Sequence, residues 1–134
     1  MEDGTDQIAD DELLYRRVPV SMGWYDEKGL SAEAFYPRAD EGSGISIYRA
    51  KYKTLEKAAE GKSKRGYWVA VLRAGDLRQH GIGVEPRPLP DDPGHAELPD
   101  LTCHNRDSAA ALERQQRLAE LCLRVEGPIP PAGV

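Results

Sequence analysis

Six consecutive apolar residues, 67–72 (YWVAVL), constrain the fold more than any other part of this sequence. The run is bounded by Gly66 and Gly75, is shorter than a typical helix, and is rich in aromatic and β-branched residues. A strand without polar alternation is typical of the interior of a sheet that is covered on both faces. The sequence therefore predicts a layered domain built around a strand at residues 66–74.

Shorter segments predict the other strands. They lie at residues 13–20, 45–50, 82–84 and 95–98, of which 45–50 alternates cleanly between its two faces. In the first of these, alternation separates the consecutive arginines Arg16 and Arg17 onto opposite faces, so we expect at least one to turn toward the interior. The four prolines within residues 85–94 predict a rigid loop before the strand at 95–98.

Helical signals complete the fold class. Short helices are predicted at residues 30–35 and 54–60, with Ser31 and Thr54 as N-caps, and a third at 75–81. The longest helix, 108–125, carries an apolar stripe and has Asn105 or Asp107 as its predicted N-cap. Together these elements predict an α+β fold, with a small mixed or antiparallel sheet and the long C-terminal helix packed on one face.

Charge is distributed unevenly along the 134 residues. Residues 1–12 hold six acids and no base, so the remainder carries 18 basic and 17 acidic residues. This balance neither favours nor opposes nucleic acid as a partner. We expect residues 1–10 to form a flexible acidic arm, 11–126 a single α+β domain, and 127–134 a Pro-rich tail.

The sequence favours a cytoplasmic protein without membrane contact. No segment approaches the run of about 18 apolar residues that a membrane helix needs, and the acidic start is unlike a signal peptide. Two cysteines, Cys103 and Cys122, are too few for a disulfide scaffold, and both are predicted to be reduced. Cys103 is followed by His104, but a lone pair of ligands does not predict a metal site.

Two constellations could carry chemistry. Guanidinium groups at Arg16, Arg17 and Arg49 could bind a phosphate or carboxylate, or could pair with acids of the domain itself. His95 and Glu97 lie two residues apart after the Pro-rich loop; they could act as acid and base, or simply hydrogen-bond each other.

A third pattern would suit single-stranded RNA or DNA. Residues 48–65 hold seven bases and two acids, and aromatic residues are interleaved with them through residue 68. The same composition is typical of a solvated helix beside a strand edge, and the rest of the domain adds no basic excess. Nucleic acid is therefore an alternative partner through residues 48–68.

The order of several motifs resembles that of a family of small, uncharacterised bacterial proteins. The motifs are LLYRRV (13–18), LSAEAF (30–35), GISIYRA (44–50), WVAVLRAGDLRQHGI (68–82) and PLPDDPGHAEL (88–98). The resemblance implies a stand-alone bacterial domain. A weaker similarity is to small ADP-ribosyltransferase-like toxins. It implies an NAD-using transferase or glycohydrolase in which Arg16 or Arg17 holds the NAD diphosphate and Glu97 orients the ribose, with Tyr48 in the same site.

The function that the sequence favours is a non-catalytic protein-interaction or accessory module of a bacterial cytoplasmic system. It would need no cofactor, and its partner could be encoded beside it. Aromatic residues and arginine are enriched where proteins bind one another tightly. The candidate contacts are Trp24, Tyr25, Tyr36, Arg49 and Tyr67.

Overall fold

The computed structural model describes residues 6–131, and all structural statements concern these residues. Its strands are β1 (Leu13–Pro19), β2 (Tyr25–Asp26), β3 (Gly29–Leu30), β4 (Ile45–Arg49), β5 (Tyr67–Arg73), β6 (Glu85–Pro86), β7 (His95–Leu98) and β8 (Arg124–Ile129). Its α-helices are α1 (Leu55–Ala58), α2 (Ala74–Gln79) and α3 (Ala109–Leu121). Short 3-10 helices span Val20–Met22 and Ala32–Phe35.

Six of the strands form one sheet in the order β6-β7-β4-β1-β5-β8, and every pairing is antiparallel. Strands β2 and β3 form a separate hairpin. The predicted α+β fold is confirmed, and the sheet is antiparallel rather than mixed. The apolar run lies in β5, inside the sheet between β1 and β8, as its lack of alternation predicts.

The main core lies between one face of the sheet and helix α3. Leu14 and Leu72 from the sheet, and Ala111 and Leu118 from the helix, are buried in a single apolar cluster. The other face carries a smaller cluster of Ala59, Tyr67 and Val69 next to α1. The long helix thus covers one face, and the second face is only partly covered.

Local capping follows the sequence closely at the short helices. The hydroxyl of Ser31 accepts a hydrogen bond from the backbone N–H of Glu33, and that of Thr54 accepts one from Lys57. The predicted caps of the long helix are wrong, because the hydroxyl of Ser108 accepts from the backbone N–H of Ala111 instead. Serine one residue before the first helical turn satisfies an N–H that Asp107 is too early to reach.

The long helix also ends four residues earlier than predicted. It stops at Leu121, and the backbone N–H of Leu123 then donates to the carbonyl of Val71 at 2.8 Å. This bond brings the chain to the free edge of β5, where Arg124–Ile129 pairs as β8. The predicted start of a Pro-rich tail at residue 127 therefore falls inside a strand, and residues 132–134 lie outside the described part of the chain.

The strand predicted at residues 82–84 does not form. The backbone N–H of Gly83 donates to the carboxylate of Asp100 at 2.9 Å, so it is not available for a strand ladder. Pairing resumes at Glu85–Pro86, which forms the outer edge of the sheet beside β7. An edge position tolerates Pro86 because a missing N–H there breaks no ladder.

Residues 6–10, predicted as part of a flexible arm, are held against the domain. Ile8 is 4% exposed and joins the main core. Arg78 binds both the carbonyl of Ile8 and the carboxylate of Asp10, each at 2.7 Å. Residues 1–5 lie outside the described part of the chain.

Strands β1 and β4 pair over two residues only. Leu14 lies opposite Arg49, and Tyr15 lies opposite Tyr48. Beyond these positions the side chain of Arg16 bridges the two strands, because its Nη1 donates to the carbonyl of Ser46 at 3.0 Å. The sheet is therefore open between β1 and the start of β4, and this opening positions the site described next.

Candidate functional site

Arg16 fills the opening in the sheet and is 5% exposed. Its Nε donates to the carbonyl of Ala34 at 3.0 Å, and its Nη1 lies 3.1 Å from the carboxylate of Glu41. These contacts, with the bond to Ser46, place its donors inside the domain. Of the alternatives that the sequence left open for Arg16, the structure shows pairing with an internal acid.

Glu41 is the acid that balances this guanidinium. Its Oε2 accepts from the backbone N–H of Ser46 at 2.7 Å, and its Oε1 accepts from that of Arg38 at 2.8 Å. Burial raises the pKa of the carboxyl, but the charge of Arg16 and these two N–H donors outweigh burial and hold the pKa below its usual value. The pair therefore remains charged inside the opening.

Arg49 has a similar internal environment at the other end of the strand pair. It is 1% exposed, and its Nη2 lies 2.9 Å from the carboxylate of Glu12. The same nitrogen donates to the carbonyl of Gln7 at 3.0 Å. The sequence placed Arg49 among the partner contacts, whereas the structure buries it, because β4 directs it to the same face as Ile45 and Ile47.

Arg17 takes the opposite face from Arg16, as strand alternation predicts. Its guanidinium carbon lies 5.6 Å from the ring centre of Tyr48 and 5.0 Å from that of Tyr67, and Nη1 donates to the carbonyl of Glu60. A cation at this distance from two aromatic faces is attracted by both. Arg17 is half-buried and keeps part of its surface toward solvent.

Three further residues that the sequence named as candidates share this face with Arg17: Tyr48, His95 and Glu97. Tyr48 lies opposite His95, and Ser46 lies opposite Glu97, on the neighbouring strands β4 and β7. His95 and Glu97 do not bond to each other: Nε2 of His95 lies 3.2 Å from Oγ of Ser46, and Glu97 accepts from the hydroxyl of Ser43 at 3.1 Å. Sequence analysis missed Ser46, although its alternation with Ile45 and Ile47 already placed it beside Tyr48.

An aromatic cleft of about 280 Å³ opens next to Arg16 and Arg17. Its remaining lining residues are Pro19, Met22, Trp24, Tyr36 and Arg38. A second cleft, the basic cleft, has a volume of about 360 Å³ and is lined by Arg17, Arg38, Asp40, Gly61, Lys62 and Tyr67. Arg17 and Arg38 line both clefts, so the two are adjacent, and we call them together the double cleft.

Tyr36 is held firmly in the wall of the double cleft. Its hydroxyl donates to the carboxylate of Asp107 at 2.9 Å, and the guanidinium carbon of Arg106 lies 5.0 Å from its ring centre. The hydrogen bond to Asp107 raises the pKa of Tyr36 above its usual value. The ring is therefore fixed before any partner arrives.

The predicted aromatic contacts separate into two groups. Trp24, Tyr36 and Tyr67 line the double cleft. Tyr25 instead packs edge-on against Trp68, with ring centres 4.9 Å apart. Two of the four aromatic candidates thus line the aromatic cleft, a third lines the adjacent basic cleft, and the fourth belongs to an aromatic pair within the domain.

Four of the seven basic residues in the segment 48–68 pair with acids of the domain. Arg49 pairs with Glu12, Lys53 with Asp92 at 3.1 Å, Lys57 with Glu60 at 3.3 Å, and Lys51 with Asp6. Lys62 faces the basic cleft. Part of the positive charge of this segment is therefore balanced within the domain.

The described residues carry neither a cluster of metal ligands nor a helix suited to a membrane. Among residues 6–131, no group of three or more His, Cys, Asp or Glu side chains could hold a metal ion. None of the helices in that range has the length and apolar character needed to cross a bilayer. Cys103 and Cys122 are both free thiols.

Two features of residues 6–131 are candidates for acting on another molecule: the double cleft, and the sheet face that carries Ser46, Tyr48, His95 and Glu97, which we call the polar sheet face. Comparisons with protein-family models, with curated proteins and with solved structures found no match for this chain.

Proposed function

We propose that this chain is a protein-interaction module that binds an acidic segment of a partner protein in the double cleft. The observation that carries the proposal is the shared position of Arg17 and Arg38, which places cationic groups directly beside the aromatic walls formed by Trp24 and Tyr36. Fixed aromatic rings beside arginine are the side chains most enriched at tight protein interfaces.

The charge of the double cleft argues for an acidic partner. Four basic side chains line it, Arg16, Arg17, Arg38 and Lys62, and two acids offset them: Asp40 in the wall and Glu41 beneath it. Arg16 bonds to Glu41 and to two carbonyls inside the domain, and Arg38 pairs with Asp40 and Glu41, so the least compensated charge lies on Arg17 and Lys62. A carboxylate of the partner would meet these cations, and complementary charge also speeds association.

The lining of the aromatic cleft argues for an apolar side chain beside that acid. Pro19, Met22 and Trp24 are apolar residues of its lining. Met22 is 52% exposed, so its side chain is accessible to a partner. Methionine adapts its shape to different partners, which suits a docking surface. The proposed occupant is thus an extended segment with an acidic residue next to an apolar or aromatic one.

The setting that we propose is the bacterial cytoplasm. The bacterial assignment rests on the family resemblance of the sequence, and the compartment rests on the two free thiols, which are typical of a reducing environment. Binding of this kind needs no cofactor, and a partner encoded beside this chain is the natural first candidate.

Capture of partners with matched variants tests the proposal. The tagged full-length chain is used to recover proteins from bacterial lysate at moderate salt, with and without nuclease treatment, together with Met22→Asp and Lys62→Glu as site variants. The controls are Leu112→Asp and Arg117→Glu, which make the same changes at exposed positions on α3, where Leu112 is 48% exposed. We expect the two site variants to weaken binding about tenfold, since each places an acid in a recess that receives an acid, and a tenfold loss corresponds to about 1.4 kcal/mol.

The proposal is supported if one stoichiometric partner remains bound after nuclease treatment and contacts the cleft with an acidic segment. That partner should be lost from both site variants and retained by both controls. Equal recovery with all four variants would contradict the double cleft as the site. Loss of the partner on nuclease treatment would point to RNA or DNA instead. Recovery of the chain alone would contradict the interaction module, and NAD turnover by wild type and Glu97→Ala would then be measured first.

A further inference from the structure

Ser46 and His95 form a hydrogen-bonded pair on the polar sheet face that the proposed interaction does not use. They lie on adjacent strands as diagonal neighbours, two positions apart in register, because Ser46 is opposite Glu97 and His95 is opposite Tyr48. Nε2 of His95 is 3.2 Å from Oγ of Ser46. From this pair we infer that Ser46 is a nucleophile, activated by His95 as its general base, that reacts with small carboxylic esters.

The hydrogen bond made by the second ring nitrogen of His95 determines which ring nitrogen carries the proton. Nδ1 lies 2.9 Å from the backbone carbonyl of Arg87. A carbonyl can only accept, so Nδ1 must carry the proton, and a neutral ring then has its lone pair on Nε2. The hydroxyl of Ser46 is therefore the donor in the 3.2 Å bond. A hydroxyl donating to an imidazole whose other nitrogen is oriented by a third group is the arrangement of an activated serine.

The orienting carbonyl is itself held in place. The backbone N–H of Arg87 donates to the carbonyl of His95 at 3.0 Å, so Arg87 and His95 bind each other in both directions. The intervening loop contains Pro88, Pro90 and Pro93 and is closed by a reciprocal backbone pair between Leu89 and Asp92. These restraints keep the imidazole aimed at Ser46, as a general base requires.

The surroundings set the class of substrate. Ser46 and His95 are both half-buried, with Ser43 exposed beside them. Glu97, opposite Ser46, accepts a hydrogen bond from Ser43 and lies 3.6 Å from the guanidinium of Arg87, which also pairs with Glu85. Because Ser46 keeps part of its surface exposed, an ester with a short acyl group is the substrate that needs the least additional room to reach it.

The reaction that this geometry supports is ester hydrolysis in two steps. Oγ of Ser46 bonds to the acyl carbon while its proton moves to Nε2 of His95; the ester C–O bond then breaks, and that proton passes to the departing alcohol. Water next attacks the acyl-serine, gives a proton to Nε2, and displaces Ser46, which recovers the proton. The products are the carboxylic acid and the alcohol, and His95 ends in its original state.

Labelling by a small fluorophosphonate tests the inference, because this reagent modifies activated serines with loss of fluoride. Intact mass and peptide mapping of the folded full-length chain should show one adduct, on Ser46. The labelling rate should fall about 100-fold in His95→Gln, within the usual contribution of a general base. It should not change in Ser43→Ala, which removes the neighbouring hydroxyl. Hydrolysis of p-nitrophenyl acetate should be lost in Ser46→Ala.

Peptide mapping of the labelled wild-type chain identifies the modified serine, so the test remains decisive even if His95→Gln folds poorly. An adduct on any serine other than Ser46, or no adduct under conditions that label a serine hydrolase, would overturn the inference. Equal rates in wild type and a folded His95→Gln would also overturn it. Because these readouts involve no partner protein, failure here is distinct from failure of the double cleft.

Discussion

Arg16 and Arg17 are adjacent in the chain but lie on opposite faces of the sheet. Arg16 is buried and bound to Glu41 at 3.1 Å, whereas Arg17 lies over the rings of Tyr48 and Tyr67. The alternation of β1 alone produces this separation. Arg16 therefore bridges the opening between β1 and β4 from inside the domain, whereas Arg17 lies on the opposite face and lines the double cleft.

Removing Glu41 should destabilise the domain strongly. Glu41→Ala leaves the buried guanidinium of Arg16 without its counter-charge and two backbone N–H groups without an acceptor. Breaking a buried pair in this way typically costs about 3–5 kcal/mol. Urea denaturation followed by circular dichroism measures the free energy of unfolding.

The neighbouring acid supplies the control for that experiment. Asp40 is exposed and pairs only with the exposed side chain of Arg38. Asp40→Ala should change the free energy of unfolding by less than about 0.5 kcal/mol, as is usual for surface positions. Equal losses in Asp40→Ala and Glu41→Ala would show that the Arg16–Glu41 pair contributes no special stability.

The same carboxylate should make stability depend on pH in acid. The folded state holds the pKa of Glu41 below its ordinary value of 4.5. The unfolded state therefore takes up a proton first as the pH falls, so the stabilisation is complete above pH 4.5 and is lost as the pH drops through the folded pKa. Glu41→Gln cannot titrate, and its free energy of unfolding should vary less steeply below pH 4.5 than that of wild type. Parallel profiles for the two proteins would refute this assignment.

The segment before β1 should contribute to stability even though its composition suggests a mobile arm. Ile8 is buried in the main core, so Ile8→Ala should lower the free energy of unfolding by about 2–5 kcal/mol. Gln7→Ala is the matched control, because only the backbone carbonyl of Gln7 bonds to Arg49 and its side chain is exposed. An unchanged denaturation midpoint in Ile8→Ala would mean that this segment is detached in solution.

The thiol of Cys122 should react slowly. Burial raises its pKa, and hydrogen bonds to the backbone offset this only in part. Because the thiolate is the reactive form, iodoacetamide at pH 8 should modify Cys122 several-fold more slowly than free cysteine. Mass spectrometry of the digested protein follows the two cysteines separately. A rate at Cys122 equal to that of free cysteine would contradict its partial burial.

Local patterns predicted four of the eight strands and the N-caps of two short helices correctly. Apolar and alternating composition identified β1, β4, β5 and β7, and hydroxyl residues identified the starts of the two short helices, because these features depend on residues within one turn or one strand. Edge strand β8 was missed: its sequence, RVEGPI, lacks an apolar pattern and forms a strand only because β5 offers a free edge. The cap at Ser108 was missed because three candidate capping residues lie within four positions.

The sequence predicted several individual residues of the site but not how they are positioned relative to one another. The sequence named Arg17, Tyr48, His95 and Glu97, and the antiparallel register of β4 and β7 brings the last three together with Ser46. It could not show that Glu41, in a glycine-containing connector, folds back onto Arg16 from 25 residues away. Nor could it show that Trp24 and Tyr36 meet at an opening in the sheet, since strand separation depends on that same long-range pair.

The most direct test of the double cleft is a photochemical cross-link formed in living cells. Benzoylphenylalanine is introduced in place of Met22 in the cleft, and in a second strain in place of Leu112 on α3, which is similarly exposed. Position 22 should cross-link to an acidic segment of one partner protein, and position 112 should not. Cross-links from position 112 alone, or from neither position, would contradict the proposal that this chain binds its partner in the double cleft.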